Sequence, residues 1–300
     1  MAKEVYMSIY DELRDLNLIN NTSVVEFYPQ TRDNKSIKVY RCSDSGLIYL
    51  GQERTGKDRK GQDRTGQDSY SYWSCSTRAE GLRKCKMDDE RRYSQFRDII
   101  VDKKWLDIGT GLGGLLDYLS SEALETHAVE PQKFPRNELI KLGYRVYESI
   151  ADTPDDYFDV VTLFHVFEHF ENPLDTLRDI SKKMTPNGKV IIEVPHANDF
   201  LIRSLDLESF KKFTFWSEHL ILHTRQSLFT YLNSCGFIDI HIQGYQRYPL
   251  ANSLYWLSHG LPGGHFHWFH LRDEELDRAW SNKLKEMDNT DTLIAYGTKK

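Results

Sequence analysis

The 300 residues, 39% of them hydrophobic, suffice for one large core, and the formal net charge of −6 removes any general attraction to nucleic acid. No apolar run reaches the length of a membrane span, and Met1-Ala-Lys-Glu-Val5 leads to Asp11, Glu12 and Asp15 instead of a signal-peptide core, so a cytoplasmic protein is expected. Cysteines stand at 42, 75, 85 and 235 without a Cys-x-x-Cys pair, which predicts reduced, structural thiols.

Residues 1–50 read as a small leading module whose last part, Ile37 to Leu50, is a hairpin. Residues 51–68 repeat every five, in the manner of Gly-Gln-Asp-Arg-Thr, and lack the apolar residues that would offset ordering entropy; 51–76 is expected to be a mobile linker. Leu82, Met87, Tyr93, Phe96 and Ile99 recur at approximate helical spacing, predicting a helix over 77–99 that opens a domain reaching to 300. Next comes Trp105-Leu-Asp-Ile-Gly-Thr-Gly-Leu-Gly-Gly114, an apolar strand, a glycine-rich turn and then Leu112, Leu115, Leu116 and Leu119 at helical spacing. Glycines at 109, 111 and 113 remove the Cβ atoms that would keep a ligand off the backbone.

Gly109, Gly111 and Gly114 also satisfy the Gly-x-Gly-x-x-Gly dinucleotide pattern, in which a pyrophosphate lies on the helix N-terminus. A carboxylate at the strand tip, Asp107, repels pyrophosphate and suits a cationic ligand such as S-adenosylmethionine. Thr126 to Glu130 reads as a second strand ending in an acid placed for ribose hydroxyls, which both ligand classes use. A helix over 137–142 and a strand over 144–148 follow, then the apolar run Phe158 to Phe164, a buried strand with His165 at its tip. Asn172-Pro173 starts a helix, Asn187-Gly188 ends it, and Val190 to Val194 is the fifth strand. A helix over 225–234 leads into a strand over 237–246, which a last strand over 292–298 pairs with. The intervening stretch, about 247–290, is aromatic and glycine-rich, with a helix near Asp273 to Met287, and reads as a lid beside an acceptor pocket.

Four segments, Leu106 to Gly113, Val129-Glu-Pro131, Tyr157 to His165 and Thr185 to Ile192, resemble in order the motifs of the class I S-adenosylmethionine-dependent methyltransferases across roughly residues 90–300. The resemblance implies an α/β fold, a Rossmann-like seven-stranded mostly parallel sheet with an antiparallel C-terminal hairpin and helices on both faces. It implies cofactor contacts from Asp107, Gly109, Thr110, Gly111, Gly113, Glu130, Pro131, Phe164 and His165, with Ser149 and Ile150 at adenine. It also makes the leading module similar to a zinc-ribbon knuckle in which Ser45 stands in place of the second cysteine, so the expectation there is a degenerate, metal-free hairpin.

Methyl transfer from a sulfonium needs in-line positioning, water exclusion and, for a hydroxyl or carbon acid, a base. Two histidine clusters follow the strand tips that hold the cofactor: His165-Val-Phe-Glu168-His169, whose i, i+3 and i+4 positions share a face if the segment is helical, and Glu218-His219. Glu218-His219 ahead of Gln226-Ser-Leu228 resembles the base of methyltransferases that alkylate carbon on nucleotide-linked sugars, which makes His219, Glu218 and His169 the catalytic candidates. His165, Glu168, His169 and His219 are also similar to a divalent-metal site of small-RNA 2′-O-methyltransferases, with histidine for the first glutamate, a change that favours a softer ion. His265, His267 and His270 read as lid residues, and His127, His241 and His259 as structural or solvated. The expected function is methyl transfer from S-adenosylmethionine to a small-molecule acceptor, a sugar or sugar nucleotide by resemblance, with no membrane or nucleic-acid partner. The alternatives are a metal-dependent RNA 2′-O-methyltransferase, a cofactor-binding module without turnover, and a nicotinamide oxidoreductase, the last disfavoured by Asp107. No motif fixes an oligomeric state.

Overall fold

In the computed structural model, which describes residues 8–51 and 77–300, the chain opens with α1 (Ile9–Asp15), capped by the Ser8 hydroxyl, which accepts from the Asp11 amide. Three strands follow, β1 (Val24–Tyr28), β2 (Lys38–Cys42) and β3 (Ile48–Gly51). The hairpin expected over 37–50 is β2 with β3, antiparallel, Lys38 opposite Gly51 and Arg41 opposite Ile48. The Cys42 thiol lies 3.1 Å from Ser23 Oγ and 3.5 Å from the Ser45 amide. Apart from Gly51, the expected linker with its pentapeptide repeat, and Cys75 within it, lie outside the described residues.

The helix expected over 77–99 is α2 (Arg78–Ile100), N-capped by Thr77. β4 (Lys104–Ile108) then alternates: Trp105 packs with Phe96 and Ile100 of α2, while Leu106 and Ile108 enter a second cluster on the other face with Leu163 and Ile192. α3 (Gly114–Leu119), β5 (Glu125–Val129), α4 (Lys133–Lys141), β6 (Arg145–Tyr147) and β7 (Phe158–Phe164) continue the winding. α5 (Pro173–Lys183) buries Leu174, Leu177 and Ile180. β8 (Met184–Pro195) starts earlier than the sequence predicts. Met184 pairs with Phe158 and Lys189 with Val160, so Thr185–Gly188 bulges from the ladder, helped by the left-handed Asn187 (φ 64°).

After β8 come three elements that the apolar periodicity gives no hint of, α6 (Phe200–Arg203), α7 (Glu208–Thr214) and the two-residue β9 (Ile221–Leu222). β9 pairs with β3, so the leading strands form a sheet β1-β2-β3-β9 with the segment that follows the fifth parallel strand. Leu13, Val39 and Leu47 accordingly share one core with Ile221, Leu228 and Leu232. Glu12, itself buried, accepts from the Tyr231 hydroxyl at 2.8 Å, and burial pushes its carboxyl up.

α8 (Arg225–Ser234), capped by Thr224, precedes β10 (Phe237–Tyr245). The stretch expected as a lid holds α9 (Leu250–His259), α10 (Gly264–His267) and α11 (Glu274–Glu286), after which β11 (Thr292–Lys299) returns. The main sheet runs β10-β11-β8-β7-β4-β5-β6. β8, β7, β4, β5 and β6 are parallel, and β11 is antiparallel to both β8 and β10, with Tyr245 opposite Thr292. The Rossmann-like α/β sheet with an antiparallel C-terminal hairpin is thus present as expected. No described helix is long and apolar enough to cross a membrane.

Candidate functional site

The turn after β4 is set by backbone. The Gly109 amide donates to the Val129 carbonyl at 2.8 Å, and Gly109, Gly111 and Gly113 all have positive φ (73°, 57° and 73°). A Cβ on Gly109 would lie 2.3 Å from Val166 Cγ2, and one on Gly113 would lie 2.4 Å from Leu139 Cδ2. A Cβ on Gly111 would meet nothing within 4 Å, so that residue bares its backbone toward open space. The two kinds of glycine are separable by experiment. Gly109→Ala is expected to destabilise the fold by about 2–4 kcal/mol through left-handed strain and the Val166 clash, seen as a lowered midpoint in urea. Gly111→Ala should cost only about 1 kcal/mol and instead weaken S-adenosylmethionine binding in calorimetry.

Carboxyls crowd this turn. Asp107, 4% exposed, accepts from Thr162 Oγ1 at 2.6 Å, and burial pushes its pKa to about 6. Glu130 accepts from the amides of Gly111 and Gln132, both at 2.8 Å, yet burial, abetted by Asp107, pushes it to about 7. Asp89 of α2, a residue without any sequence signal, is buried beside Gly114 and is also pushed to about 7, by burial and then by Asp88, Asp107 and Asp117 against the counteracting Arg92. Three carboxyls that resist ionisation at one turn form a site that a cation would relieve. The glycine cradle and this acidic surround therefore fit S-adenosylmethionine and do not fit a diphosphate.

The other expected cofactor contacts surround the same strand tips. Thr110 follows Gly109, with its hydroxyl buried beside Asp107. The Pro131 carbonyl is tied by Arg136, and Ser149, exposed, leads into Ile150 through a capping box with Asp152. Phe164 stacks on Phe96 and lies under the Arg92 guanidinium at 4.8 Å, so it faces α2.

The tip of β7 gathers the histidines. His165 departs from the helical turn that shared-face spacing would need: its φ is 56°, and only Phe167–His169 form a single 3₁₀ turn. The left-handed residue nevertheless brings its ring between two fully buried carboxylates, with Nδ1 3.4 Å from Glu168 and Nε2 3.3 Å from Glu193. Arg247 donates to Nε2 at 2.9 Å, which leaves the ring proton on Nδ1, toward Glu168. His169 Nδ1 donates to the Glu218 carbonyl at 2.7 Å. Ligand atoms of Glu168, His169 and His219 all lie within 4.8 Å of one another. The buried Nδ1 of His219 has no hydrogen-bond partner among the described residues, and the nearest polar group to the Glu168 carboxylate is His165 Nδ1 at 3.4 Å. Burial and the adjoining imidazoles push His219 down to about 3, so it is a neutral ring at physiological pH. Burial opposes ionisation of Glu168, but the surrounding histidines outweigh it and hold the carboxyl at about 2. The catalytic and metal candidates are thus brought together, with Glu218 contributing its backbone carbonyl.

Sequence reasoning missed the charged frame behind His165. Glu193 receives Arg91 and Arg92 at 2.8 Å, and Arg247 is also bound by Asp88. The signal was the lone acid in the otherwise apolar run Val190 to Val194. The remaining histidines lie elsewhere: His127 is 2% exposed among Glu125, Arg145 and Tyr147, and in the lid His267 stacks on Tyr255.

A family profile described as a methyltransferase domain matches residues 80–242. The ubiquinone biosynthesis O-methyltransferase of Photobacterium profundum is 26% identical over 173 residues, 53% of this chain and 73% of that protein. The one from Yersinia enterocolitica is 28% identical over 109 residues, 33% of this chain and only 45% of that protein. Among solved structures, a SAM-dependent methyltransferase from Archaeoglobus fulgidus aligns with a TM-score of 0.50 at 20% identity, covering 74% of this chain and 95% of its own. A chain of the complex between the Haloferax volcanii Trm112 methyltransferase activator and a putative methyltransferase aligns with a TM-score of 0.52 at 13% identity, covering the same shares. At such identities these two likenesses show the fold.

Proposed function

The chain belongs to the class I S-adenosylmethionine-dependent methyltransferases, and from that premise we propose that it methylates a hydroxyl oxygen of a small-molecule acceptor, with His219 as general base. The observation that carries this reading is a neutral imidazole whose buried Nδ1 is unpartnered among the described residues, set against the ionised Glu168 after the strand tips that end at the glycine turn. Bound at Gly109–Gly113, S-adenosylmethionine supplies a methyl group already activated by its sulfonium. The chain's own residues do the rest. Asp107, Asp89 and Glu130 hold the cationic donor, and Arg247 and Glu193 fix the His165 ring. His219 takes the hydroxyl proton as the acceptor oxygen attacks, and the Glu168 carboxylate stabilises the imidazolium so formed. The O-methyltransferase names of the sequence relatives support oxygen as the acceptor atom. A sugar or sugar nucleotide remains the acceptor that the Glu218-His219 resemblance implies, and aromatic rings in the lid suit its apolar faces.

A second reading rests on the same three residues. Two imidazole nitrogens and a buried carboxylate are a donor set that fits a borderline-soft divalent ion such as zinc, which would be held by Glu168, His169 and His219 with His165 beside them. Such an ion supplies Lewis acidity that lowers the pKa of a bound hydroxyl. The test supplies isotope-labelled S-adenosylmethionine with 3,4-dihydroxybenzoate, a nucleoside-diphosphate sugar or a primary amine, before and after dialysis against EDTA. Label is expected on oxygen of a hydroxylated probe; transfer to the amine alone would refute the oxygen reading. Activity lost to EDTA and restored by zinc selects the metal reading, and activity indifferent to EDTA removes it.

A further inference from the structure

The leading strands touch the candidate base segment more closely than an appendage would. Phe27 and Tyr28 of β1 pack on Phe215, with ring centroids 5.9 and 5.5 Å apart, and the Tyr28 hydroxyl donates to Glu208 at 2.7 Å. Past β1 the contacts become backbone-specific. The Arg32 amide donates to the Phe215 carbonyl at 2.8 Å, and Arg32 Nη1 donates to the Phe213 carbonyl at 3.1 Å. The same guanidinium lies 4.7 Å from the centre of the Trp216 ring. Asp33 accepts from both groups of Ser217, the amide at 3.0 Å and the hydroxyl. These bonds hold its carboxyl below the ordinary value against the opposing effect of burial.

What this clamp grips is the turn that carries the base. The His219 amide donates to the Trp216 carbonyl at 3.0 Å, and the Trp216 ring stands 5.3 Å from the His219 ring and 6.2 Å from that of His169. Immediately beyond, the Leu220 amide donates to the Glu168 carbonyl at 2.9 Å and the Leu220 carbonyl accepts from Leu50 at 3.0 Å. Residues 213–222 are therefore held between the leading strands on one side and Glu168–His169 on the other. We infer that the leading strands are part of the acceptor site, and that Asp33 is a positioning residue: by fixing Ser217 it fixes the turn that presents His219 to Glu168. The inference deepens the proposed role of His219 and rests on it for its catalytic meaning, while the mechanical claim stands on the contacts alone.

Residue-resolved hydrogen–deuterium exchange on the full chain tests it. In Asp33→Ala, the amides of Ser217 and His219 are expected to exchange at least ten times faster, while those of 105–130 keep their rates and the S-adenosylmethionine Kd stays within twofold. For whichever hydroxylated probe the wild type methylates, kcat should fall about tenfold with KM for S-adenosylmethionine unchanged. Asp33→Asn, which can still accept from the Ser217 amide, should recover most of both losses. Unchanged exchange at 217–219 in folded Asp33→Ala, or an equal rise along the whole chain, overturns the inference. If Asp33→Ala does not fold, Ser217→Ala, which removes only the hydroxyl contact, must speed exchange at 217–219 or the inference fails. A wild type that methylates none of the probes refutes the acceptor reading and leaves the exchange result to decide the clamp.

Discussion

His219→Ala is expected to lower methyl transfer at least about 100-fold while leaving the S-adenosylmethionine Kd within twofold, because a positioned base contributes roughly 100- to 10,000-fold. The magnitude follows from the surroundings of the ring. His169 has its Nδ1 committed to the Glu218 carbonyl, and His165 is held by Arg247, so neither can swing into the vacated place. The cofactor turn is built from β4 and β5, not from the segment that carries His219, so donor binding should survive. Single-turnover transfer and calorimetry on the same preparation check both halves. Added imidazole, entering the cavity left by the ring, should restore part of the rate; a rate unaffected by the substitution would remove His219 from the chemistry.

The second large effect concerns the donor. Asp107→Asn keeps an acceptor for the Thr162 hydroxyl but removes the charge, and is expected to weaken S-adenosylmethionine binding by about 10- to 100-fold, roughly 1.4–2.7 kcal/mol. The same substitution should raise stability without ligand at high pH. The folded-state pKa of Asp107 is raised to about 6 from 3.8, so its contribution is fully present below about pH 4 and lost as pH rises through 6. Glu130 and Asp89, each at about 7, extend the loss toward pH 8, with Arg92 and Arg136 as the facing cations. Asparagine at 107 removes one part of that loss, up to about 3 kcal/mol in order of magnitude. Wild-type thermal stabilisation by S-adenosylmethionine is accordingly expected to be larger at pH 8 than at pH 6, and the difference to shrink in Asp107→Asn. Scanning calorimetry at the two pH values measures it. A wild-type stabilisation equal at both would show that these carboxyls do not hold the donor.

The central parallel strands β4, β7 and β8 were legible because each carries an apolar run bounded by a turn residue, and the donor turn because glycine suits three successive alternate positions at positive φ. Asp107 and Glu130 were legible for a related reason: an acid at the end of an apolar strand stands at a sheet's ligand-binding edge. Asp89, Arg92 and Arg247 were not. They sit on polar helix faces or at a loop start, where the sequence gives charge no preferred direction, and only packing against the sheet aims them inward. The grouping of His165, Glu168, His169 and His219 was read from resemblance, but the left-handed backbone at His165 replaces the helical turn that spacing alone suggested. The contact between the leading strands and 213–222 was also invisible, since β9 is two residues long and pairs across some 170 positions of chain. Such pairings leave no local periodicity.

The lid begins after Tyr245 and ends before Thr292, and those two residues face each other across adjoining strands. Exit and entry therefore share one anchorage, from which the insert reaches back through Arg247 to His165 and Asp88 and through Trp256 to Phe210 and Phe213. A change of length between those contacts is absorbed outside the sheet, because Tyr245 and Thr292 keep their pairing whatever the insert adds.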